Sequence, residues 1–321
     1  MRSVLGAVLA AGACLAQAAE PARVDSLLAI YRELVDTDTM QPAGDTTAAA
    51  RAMAKHLLDA GFDARDVEVI EPHPRRGNLV ARLRGTGELR PLLLLAHLDV
   101  VPARKEDWSD GLDPAKLTER DGYFYGRGTL DDKAMGAIFV ASLARMKREG
   151  LRPKRDVILA LTADEEAGDH NGVAWLLAHR RGAIDAEVAL NEGGNGTWRD
   201  GVPFIHGVQV AEKVYQSYRL EATSPGGHSS LPEPDNAIYD LARALDGVAA
   251  LEFPARLSEA TRRYFAAIGA TEAGALMPAL SSISRGEASV DELRAASTIP
   301  RFNAQLRTTC VATRVEGGQA D

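Results

Sequence analysis

Cysteine is scarce in this chain, and long apolar runs are missing beyond its N-terminal segment. The two cysteines are Cys14 and Cys310, and only the second would remain after removal of the signal peptide predicted below. A single remaining thiol excludes an internal disulfide, so the fold must be stabilised by its core. No later apolar run reaches the length that a bilayer-spanning helix needs, and a membrane span is therefore not expected.

Basic residues are outnumbered by acidic ones, and several binding motifs are absent. The net charge is −8, which argues against nucleic acid or an anionic membrane surface as a partner. The sequence contains no phosphate-binding loop, dinucleotide-binding motif or internal repeat. Hydrophobic residues make up 45% and charged residues 26% of the 321 positions, as in ordinary globular proteins of about two domains.

The N-terminal segment, residues 1–18, has the pattern of a signal peptide. Arg2 supplies the positive charge, residues 4–15 are apolar or small, and Ala16-Gln17-Ala18 fits the cleavage site. We therefore expect an exported protein, periplasmic or secreted. Acylation of Cys14 as a lipoprotein is an alternative that the preceding residues fit less well.

The pattern of apolar runs predicts an α/β domain. Continuous apolar runs of strand length at 91–96, 156–162 and 186–190 are typical of strands covered on both faces. Helical periodicity lies between them, at 132–149 and 172–180. This alternation predicts a largely parallel sheet with helices on both faces. Earlier helices and strands are predicted at 24–34, 46–61, 67–70 and 78–83.

Acidic residues and one histidine follow the ends of these predicted strands. Each could have an ordinary role alone: Asp131-Asp132 could cap a helix, and His97 could lie in a solvated loop. Because ligands bind beyond the carboxyl ends of parallel strands, we expect the groups to meet in one cleft. Carboxylates so close together need cations to neutralise them, and with an imidazole they suit zinc, cobalt or manganese.

The same segments resemble four motifs of a zinc metallopeptidase family. That family includes aminoacylase, carboxypeptidase S, glutamate carboxypeptidase, acetylornithine deacetylase and succinyl-diaminopimelate desuccinylase. The second and fourth motifs are similar to its carboxypeptidase S branch, and the resemblance runs from about Leu27 onward. The motifs are His97-x-Asp99-x-x-Pro102, Gly126-Arg127-Gly128-x-x-Asp131-Asp132-Lys133, Asp164-Glu165-Glu166 and Asn191-Glu192-Gly193-Gly194.

The resemblance implies a zinc-exopeptidase-like fold that binds two zinc ions. Asp131 would bridge the ions, with His97 and Glu192 completing one site and Glu166 serving the other. The peptide bond after the bridging aspartate is often cis in this family, which here means Asp131–Asp132. Cobalt or manganese could replace zinc.

Three further residues have roles that the resemblance implies. Asp99 would hydrogen-bond the far nitrogen of His97 and fix its tautomer. Glu165 would be the general base that takes a proton from a metal-bridging water and hands it to the leaving amine. His228 would reach the substrate oxyanion from a second domain. We therefore expect hydrolysis of a peptide or an N-acyl amino acid, the small-molecule substrates of such enzymes.

A catalytic domain is predicted over residues 19–212, and a partial α+β lid domain over 213–321. The lid resembles the family's dimerisation domain, which implies a homodimer. It is predicted to contain a strand at 214–222 and a helix at 236–245. In the family, the chain returns from the lid to the catalytic domain and supplies a last metal-binding histidine.

No remaining histidine matches that last ligand, so two hypotheses stay open. The first is a dinuclear metal-dependent amidase or carboxypeptidase, represented here by its N-terminal part. The second is a non-catalytic fragment or pseudoenzyme that binds metal or dimerises without turnover. Arg307 is a candidate for the substrate-carboxylate clamp, with a solvated arginine as its alternative.

Overall fold

The computed structural model describes residues 24, 26–166, 168–194, 196–271, 274 and 276–318. The predicted signal peptide lies outside these residues. The chain divides into two compact units between Gly193 and Gly194. The functional boundary predicted at 212/213 stays a prediction. Within the described ranges, no helix combines the length and the apolar character needed to cross a bilayer.

The first unit is built on a five-stranded sheet in the order β1-β2-β6-β3-β7. The strand β2 runs antiparallel to β1 and to β6, whereas β3 runs parallel to β6 and to β7. Four of the five strands therefore point the same way. The strands are β1 (Val67–Ile70), β2 (Asn78–Leu83), β3 (Leu89–His97), β6 (Arg155–Thr162) and β7 (Val188–Leu190), with a separate hairpin of β4 (Thr118–Arg120) and β5 (Tyr123–Tyr125).

Helices cover both faces of this sheet, as predicted, except at β7, the last strand in the order. The prediction that the 186–190 run is covered on both faces is wrong, because all three residues of this terminal strand are exposed. The alternation of side chains along β6 sends Val157, Leu159 and Leu161 into one core and Ile158 and Ala160 into another. The first core is closed by α1, α2 and α3, and the second by α4 and α5. The helices are α1 (26–36), α2 (Thr46–Asp59), α3 (Lys133–Arg148), α4 (Gly172–His179) and α5 (Arg181–Ile184).

Strand register brings the predicted motifs to one edge of the sheet. The strands β3 and β6 are parallel, and His97 at the end of β3 pairs with Thr162 at the end of β6. The segments that follow the two strands therefore leave the sheet at the same level. The strand β7 lies on the other side of β3, where Leu94 pairs with Leu190. Glu192 follows directly after β7 and so reaches the same edge.

In the described part of the second unit, a hairpin and five helices accompany a small core. The core cluster comes from the last four of these helices, and its buried members are Phe265, Ile268, Leu280, Ile283, Ala296, Phe302 and Leu306. The elements are β8 (Gly196–Arg199), β9 (Val202–His206), α6 (Ala237–Ala249), α7 (Glu259–Thr271), α8 (Met277–Arg285), α9 (Val290–Ser297) and α10 (Pro300–Leu306).

The helix predicted at 236–245 is confirmed, and the strand predicted at 214–222 is wrong. Asn236 caps α6, because its side chain accepts hydrogen bonds from the N–H groups of Ile238 and Tyr239. Residues 207–228 form neither helix nor strand. Val214 is 95% exposed, and an alternating pattern yields a strand only when a neighbouring strand takes up its backbone hydrogen bonds.

Candidate metal centre

His97 lies at the centre of a cluster of carboxylates in the first unit. Its Nε2 atom is 2.9 Å from Asp131 Oδ1, 3.7 Å from Glu192 Oε1 and 4.0 Å from Glu165 Oε2. The histidine itself is buried, with 3% of its surface exposed. Strand ends that are distant in sequence thus bring one imidazole and several carboxylates together.

Two groups of side chains in this cluster have the spacing of metal ligands. His97, Asp131 and Glu166 form one group, and His97, Asp132 and Glu192 form the other. Within each group, one candidate ligand atom per residue lies within 4.8 Å of the others. All four residues predicted as metal ligands therefore belong to the cluster. Their roles as metal ligands stay predictions.

Asp132 is the candidate that the sequence did not single out. It occupies the N-cap position of α3, but its side chain makes no capping hydrogen bond. Its buried carboxylate instead accepts a 3.3 Å hydrogen bond from the backbone N–H of His97. The Asp131–Asp132 peptide bond is cis, as the resemblance implies. The adjacency of two aspartates was the only available signal, and it favoured a helix cap equally well.

The tautomer of His97 follows from its contact with Asp99. The imidazole Nδ1–H donates to the backbone carbonyl oxygen of Asp99 at 2.8 Å, whereas the Asp99 carboxylate is 3.8 Å away. A carbonyl only accepts hydrogen bonds, so Nδ1 carries the proton and Nε2 of the neutral ring presents a lone pair. The hydrogen bond that fixes the His97 tautomer therefore goes to the backbone carbonyl of Asp99, and not to its carboxylate as the resemblance implied.

The Asp99 carboxylate is hydrogen-bonded to the backbone of the Asp164-Glu165-Glu166 motif. Its two oxygens each accept a 3.0 Å hydrogen bond, one from the N–H of Glu165 and one from the N–H of Glu166. The carboxylate is fully buried. Burial raises the pKa of Asp99, and these two N–H groups oppose that rise. Asp99 thus fixes the backbone from which the predicted base and a predicted ligand project.

The charge of the cluster is high enough to perturb its own ionisation. Burial raises the pKa of Asp132 to about 7, and repulsion from Glu192 and Asp131 adds to the effect. Burial also raises the pKa of Glu192 to about 7, with repulsion from Asp131 and Glu165. Burial lowers the pKa of His97, but the charge of Asp99 and the hydrogen bond to Asp131 together raise it above its usual value.

These observations test whether the residues fit a metal ion. A lone pair on His97 Nε2 and a carboxylate oxygen of Asp131 cannot face each other at 2.9 Å unless a proton or a cation lies between them. A donor set of imidazole nitrogen and carboxylate oxygens suits zinc, cobalt or manganese. The residues therefore fit a divalent cation.

The remaining predicted site residues lie in the second unit. His228 is exposed, and its Nδ1 accepts a 3.2 Å hydrogen bond from the N–H of Ser230. Arg307 is 8% exposed, and its guanidinium contacts Glu252 and Ser297. The interpretation of Arg307 as a solvated arginine is therefore wrong, because the side chain is packed into that unit. The substrate roles of both residues stay predictions.

Comparisons with known proteins identify relatives of this chain. The sequence profile of Peptidase family M20/M25/M40 matches residues 93–305. Aminoacylase-1 of Sus scrofa is 30% identical over 232 residues, which are 69% of this chain and 53% of the relative. The N-fatty-acyl-amino acid synthase/hydrolase PM20D1 of Xenopus tropicalis is 36% identical over 165 residues, or 49% of this chain and 31% of the relative. The chain thus spans about half or less of these relatives.

Two solved structures of similar proteins each align with 52% of this chain. Human carnosine dipeptidase 1 aligns with a TM-score of 0.42 at 22% identity, over 52% of this chain and 38% of the other. The M20 family metallo-carboxypeptidase Sso-CP2 from Sulfolobus solfataricus aligns with a TM-score of 0.45 at 16% identity, over 52% and 37%. Because the family profile covers more than half of the sequence, the chain belongs to Peptidase family M20/M25/M40.

Proposed function

We propose that this chain is the metal-binding part of a hydrolase that cleaves a peptide bond or the amide bond of an N-acyl amino acid. The proposed enzyme is carboxypeptidase- or aminoacylase-like. The observation that carries the proposal is the meeting of His97 Nε2 with the carboxylates of Asp131, Glu192 and Glu165 at 2.9–4.0 Å. Membership of a peptidase family supports the same reaction class.

Two zinc ions are the proposed cofactor, with cobalt or manganese as substitutes. Asp131 would contact both ions, His97 and Glu192 would hold one, and Glu166 would hold the other. When bound, divalent cations of this kind acidify water and polarise an amide carbonyl. The buried Asp132 carboxylate accepts a hydrogen bond from the backbone N–H of His97 and so holds the end of β3 that carries this ligand.

Glu165 is the proposed general base. Its side chain is 46% exposed, and its carboxylate lies 4.0 Å from His97 Nε2, so it faces both the cluster and solvent. The Asp99 carboxylate fixes its backbone N–H. From this position the Glu165 carboxylate can accept a proton from a water and donate it to the nitrogen of the leaving amine.

The other parts of the proposal concern substrate contact and assembly. His228 would contact the substrate oxyanion, and the second unit would form a homodimer interface. The signal-peptide pattern supports export to the periplasm or beyond. The relatives' names include an aminoacylase and an N-fatty-acyl-amino acid hydrolase, which supports N-acyl amino acids as one substrate class.

The test compares the wild type with Glu165→Gln in hydrolysis of N-acetyl amino acids and blocked dipeptides by the cobalt-loaded chain. Loss of the base predicts a fall in kcat of about 10²–10⁴-fold with cobalt binding retained. Glu187→Gln is the matched control, because Glu187 pairs with Arg155 away from the cluster. An unchanged kcat in Glu165→Gln contradicts the assignment of the base. Cobalt binding without hydrolysis by the wild type favours the non-catalytic alternative.

A further inference from the structure

Asp164, the residue before the proposed base, is held in an uncommon backbone conformation. Its φ angle is +54°, in the left-handed region that side chains other than glycine rarely adopt. Its side chain is 1% exposed. The carboxylate accepts hydrogen bonds from the Gln41 amide and from the backbone N–H of His170 at 3.3 Å, and it forms an ion pair with Arg76, whose Nε lies 3.1 Å from Oδ1. Such a conformation persists only where the surroundings determine it.

Arg76, which pairs with Asp164, has a guanidinium group that makes several further contacts. Its side chain is 10% exposed, and its guanidinium makes four hydrogen bonds besides the ion pair with Asp164, in which Nε lies 3.1 Å from Oδ1. A planar guanidinium with this many partners is held in a single orientation. The hydrogen-bond acceptors are Gln41 Oε1 at 2.8 Å and the carbonyl oxygens of Pro42 at 2.7 Å, Gly44 at 2.8 Å and Arg75 at 3.1 Å.

Three of those acceptors belong to residues 35–44, which run from the last residues of α1 into the loop after it. We call residues 35–44 the bridging segment. The bridging segment also contacts the loop after His97. Met40 forms a parallel bridge with Val100, whose carbonyl oxygen accepts the Gln41 N–H at 3.4 Å. The Val100 N–H in turn donates to the carbonyl oxygen of Thr39 at 3.4 Å. Val100 directly follows Asp99, so this contact anchors the first motif.

The bridging segment contacts the Asp131–Asp132 motif as well. Lys133, the next residue, is buried with 1% of its surface exposed. Its Nζ donates to the carbonyl oxygen of Thr37 at 2.8 Å and lies 3.5 Å from that of Val35. One short stretch of chain is therefore hydrogen-bonded to three segments that carry candidate metal ligands.

We propose that the bridging segment sets the relative positions of these three ligand segments, and that Arg76 and Gln41 are positioning residues for Glu165 and Glu166. The two glutamates are then held from both sides. Asp164 binds Arg76 and Gln41 on one side, and Asp99 accepts the glutamate N–H groups on the other. This inference rests on the proposed function, since it assigns the positioning to a metal-dependent hydrolase.

The arrangement favours positioning over stability as the role of the ion pair. Burying two charges costs desolvation energy that the pair only partly recovers, so a buried ion pair is a weak source of net stability. Groups that orient metal ligands, in contrast, commonly change metal affinity by about 10–100-fold when removed. Arg76 and Asp164 are such orienting groups for the segment that carries Glu165 and Glu166.

The same sheet offers a matched control pair. Arg82 Nη1 lies 3.0 Å from Asp156 Oδ2, and both side chains are about one-fifth exposed. Asp156 also accepts a 2.8 Å hydrogen bond from the N–H of Gly85. This pair joins β2 to the first residues of β6, at the end of β6 opposite to Thr162. It therefore resembles the Arg76–Asp164 pair in chemistry but lies away from the candidate ligands.

The experiment titrates the full chain with Co²⁺ and records affinity and visible absorption for the wild type, Gln41→Ala, Arg76→Met and Arg82→Met. Urea unfolding of the metal-free proteins reports stability. We expect Arg76→Met to bind cobalt at least about tenfold more weakly with an altered absorption spectrum. Gln41→Ala should weaken binding in the same direction. Arg82→Met should lower the unfolding midpoint but retain wild-type cobalt affinity and spectrum.

Each outcome decides the proposal. Should Arg76→Met fail to fold, Gln41→Ala supplies the answer, because it leaves the Arg76–Asp164 pair in place. Wild-type affinity and spectrum in the folded variants overturn the proposal, and so does equal weakening in Arg82→Met. A wild type that binds no cobalt overturns both this proposal and the proposed function. Cobalt binding without amide hydrolysis rejects catalysis alone, and the affinity series still decides the positioning role.

Discussion

Replacing Asp99 with asparagine separates the two roles that this residue could have. In the structure its carboxylate accepts the N–H groups of Glu165 and Glu166, both at 3.0 Å, and only its backbone contacts the imidazole of His97. Asparagine keeps the shape of the side chain but replaces one acceptor oxygen by an NH₂ group. That group would face a buried backbone N–H, so one charge-assisted hydrogen bond is lost and two donors oppose each other.

The expected cost follows from these contacts. A hydrogen bond to a charged acceptor contributes about 1.5–3 kcal/mol, so Asp99→Asn should lose about that much free energy of unfolding. Cobalt affinity should fall about 10–100-fold, because the backbone of Glu165 and Glu166 loses an anchor. The tautomer of His97 should not change, since the backbone carbonyl of Asp99 remains.

Three measurements check this prediction. Urea unfolding followed by circular dichroism gives the stability, cobalt titration gives the affinity, and ¹⁵N chemical shifts of the imidazole give the tautomer. Asp113→Asn is the control, because Asp113 accepts a backbone N–H of Ala115 at 3.0 Å but pairs with Lys105 and contacts no candidate ligand. Wild-type stability and cobalt affinity in Asp99→Asn would show that the Asp99 carboxylate does not anchor the two glutamates. A changed tautomer with an intact affinity would instead restore the role predicted from the sequence.

Two further predictions concern pH and the second core. The pKa values of Asp132 and Glu192 are raised to about 7, so both carboxyl groups bind protons below that pH. Apparent cobalt affinity should fall about tenfold for each displaced proton between about pH 8 and pH 6, and a flat titration series contradicts this. Phe302→Ala should cost about 3–5 kcal/mol in urea unfolding, because Phe302 is 1% exposed. Val311→Ala, at a 76% exposed position, should change little, and equal effects contradict the packing assignment.

The central strands of the sheet could be predicted well because each contains a continuous run of apolar residues. The apolar runs at 91–96 and 156–162 lie inside β3 and β6, where both faces are covered and almost every position is apolar. The end of each run also marked where the polar groups emerge. His97, Glu166 and Glu192 could therefore be placed at one edge from the sequence, whereas Asp131 was expected there from the start of a predicted helix.

Contacts between distant segments were beyond sequence reasoning. Arg76 lies in a turn-rich stretch that looks solvated, yet it is buried by carbonyl groups of Pro42 and Gly44. Asp164 reads as part of an acidic turn, but two partners of its carboxylate, Arg76 and Gln41, are more than eighty positions away along the chain. The strand predicted at 214–222 was wrong for a related reason. Its alternating pattern is a local signal, and the paired strand that it requires is a non-local condition.

The proposed metal centre is tested most directly by a crystal structure of the zinc-loaded chain with anomalous diffraction at the zinc edge. We expect anomalous density about 2.0–2.2 Å from His97 Nε2 and from carboxylate oxygens of Asp131 and Glu192, with Glu166 contacting any second ion. Anomalous density confined to other residues, or zinc absent from this cluster in a folded protein, would contradict the proposed metal centre.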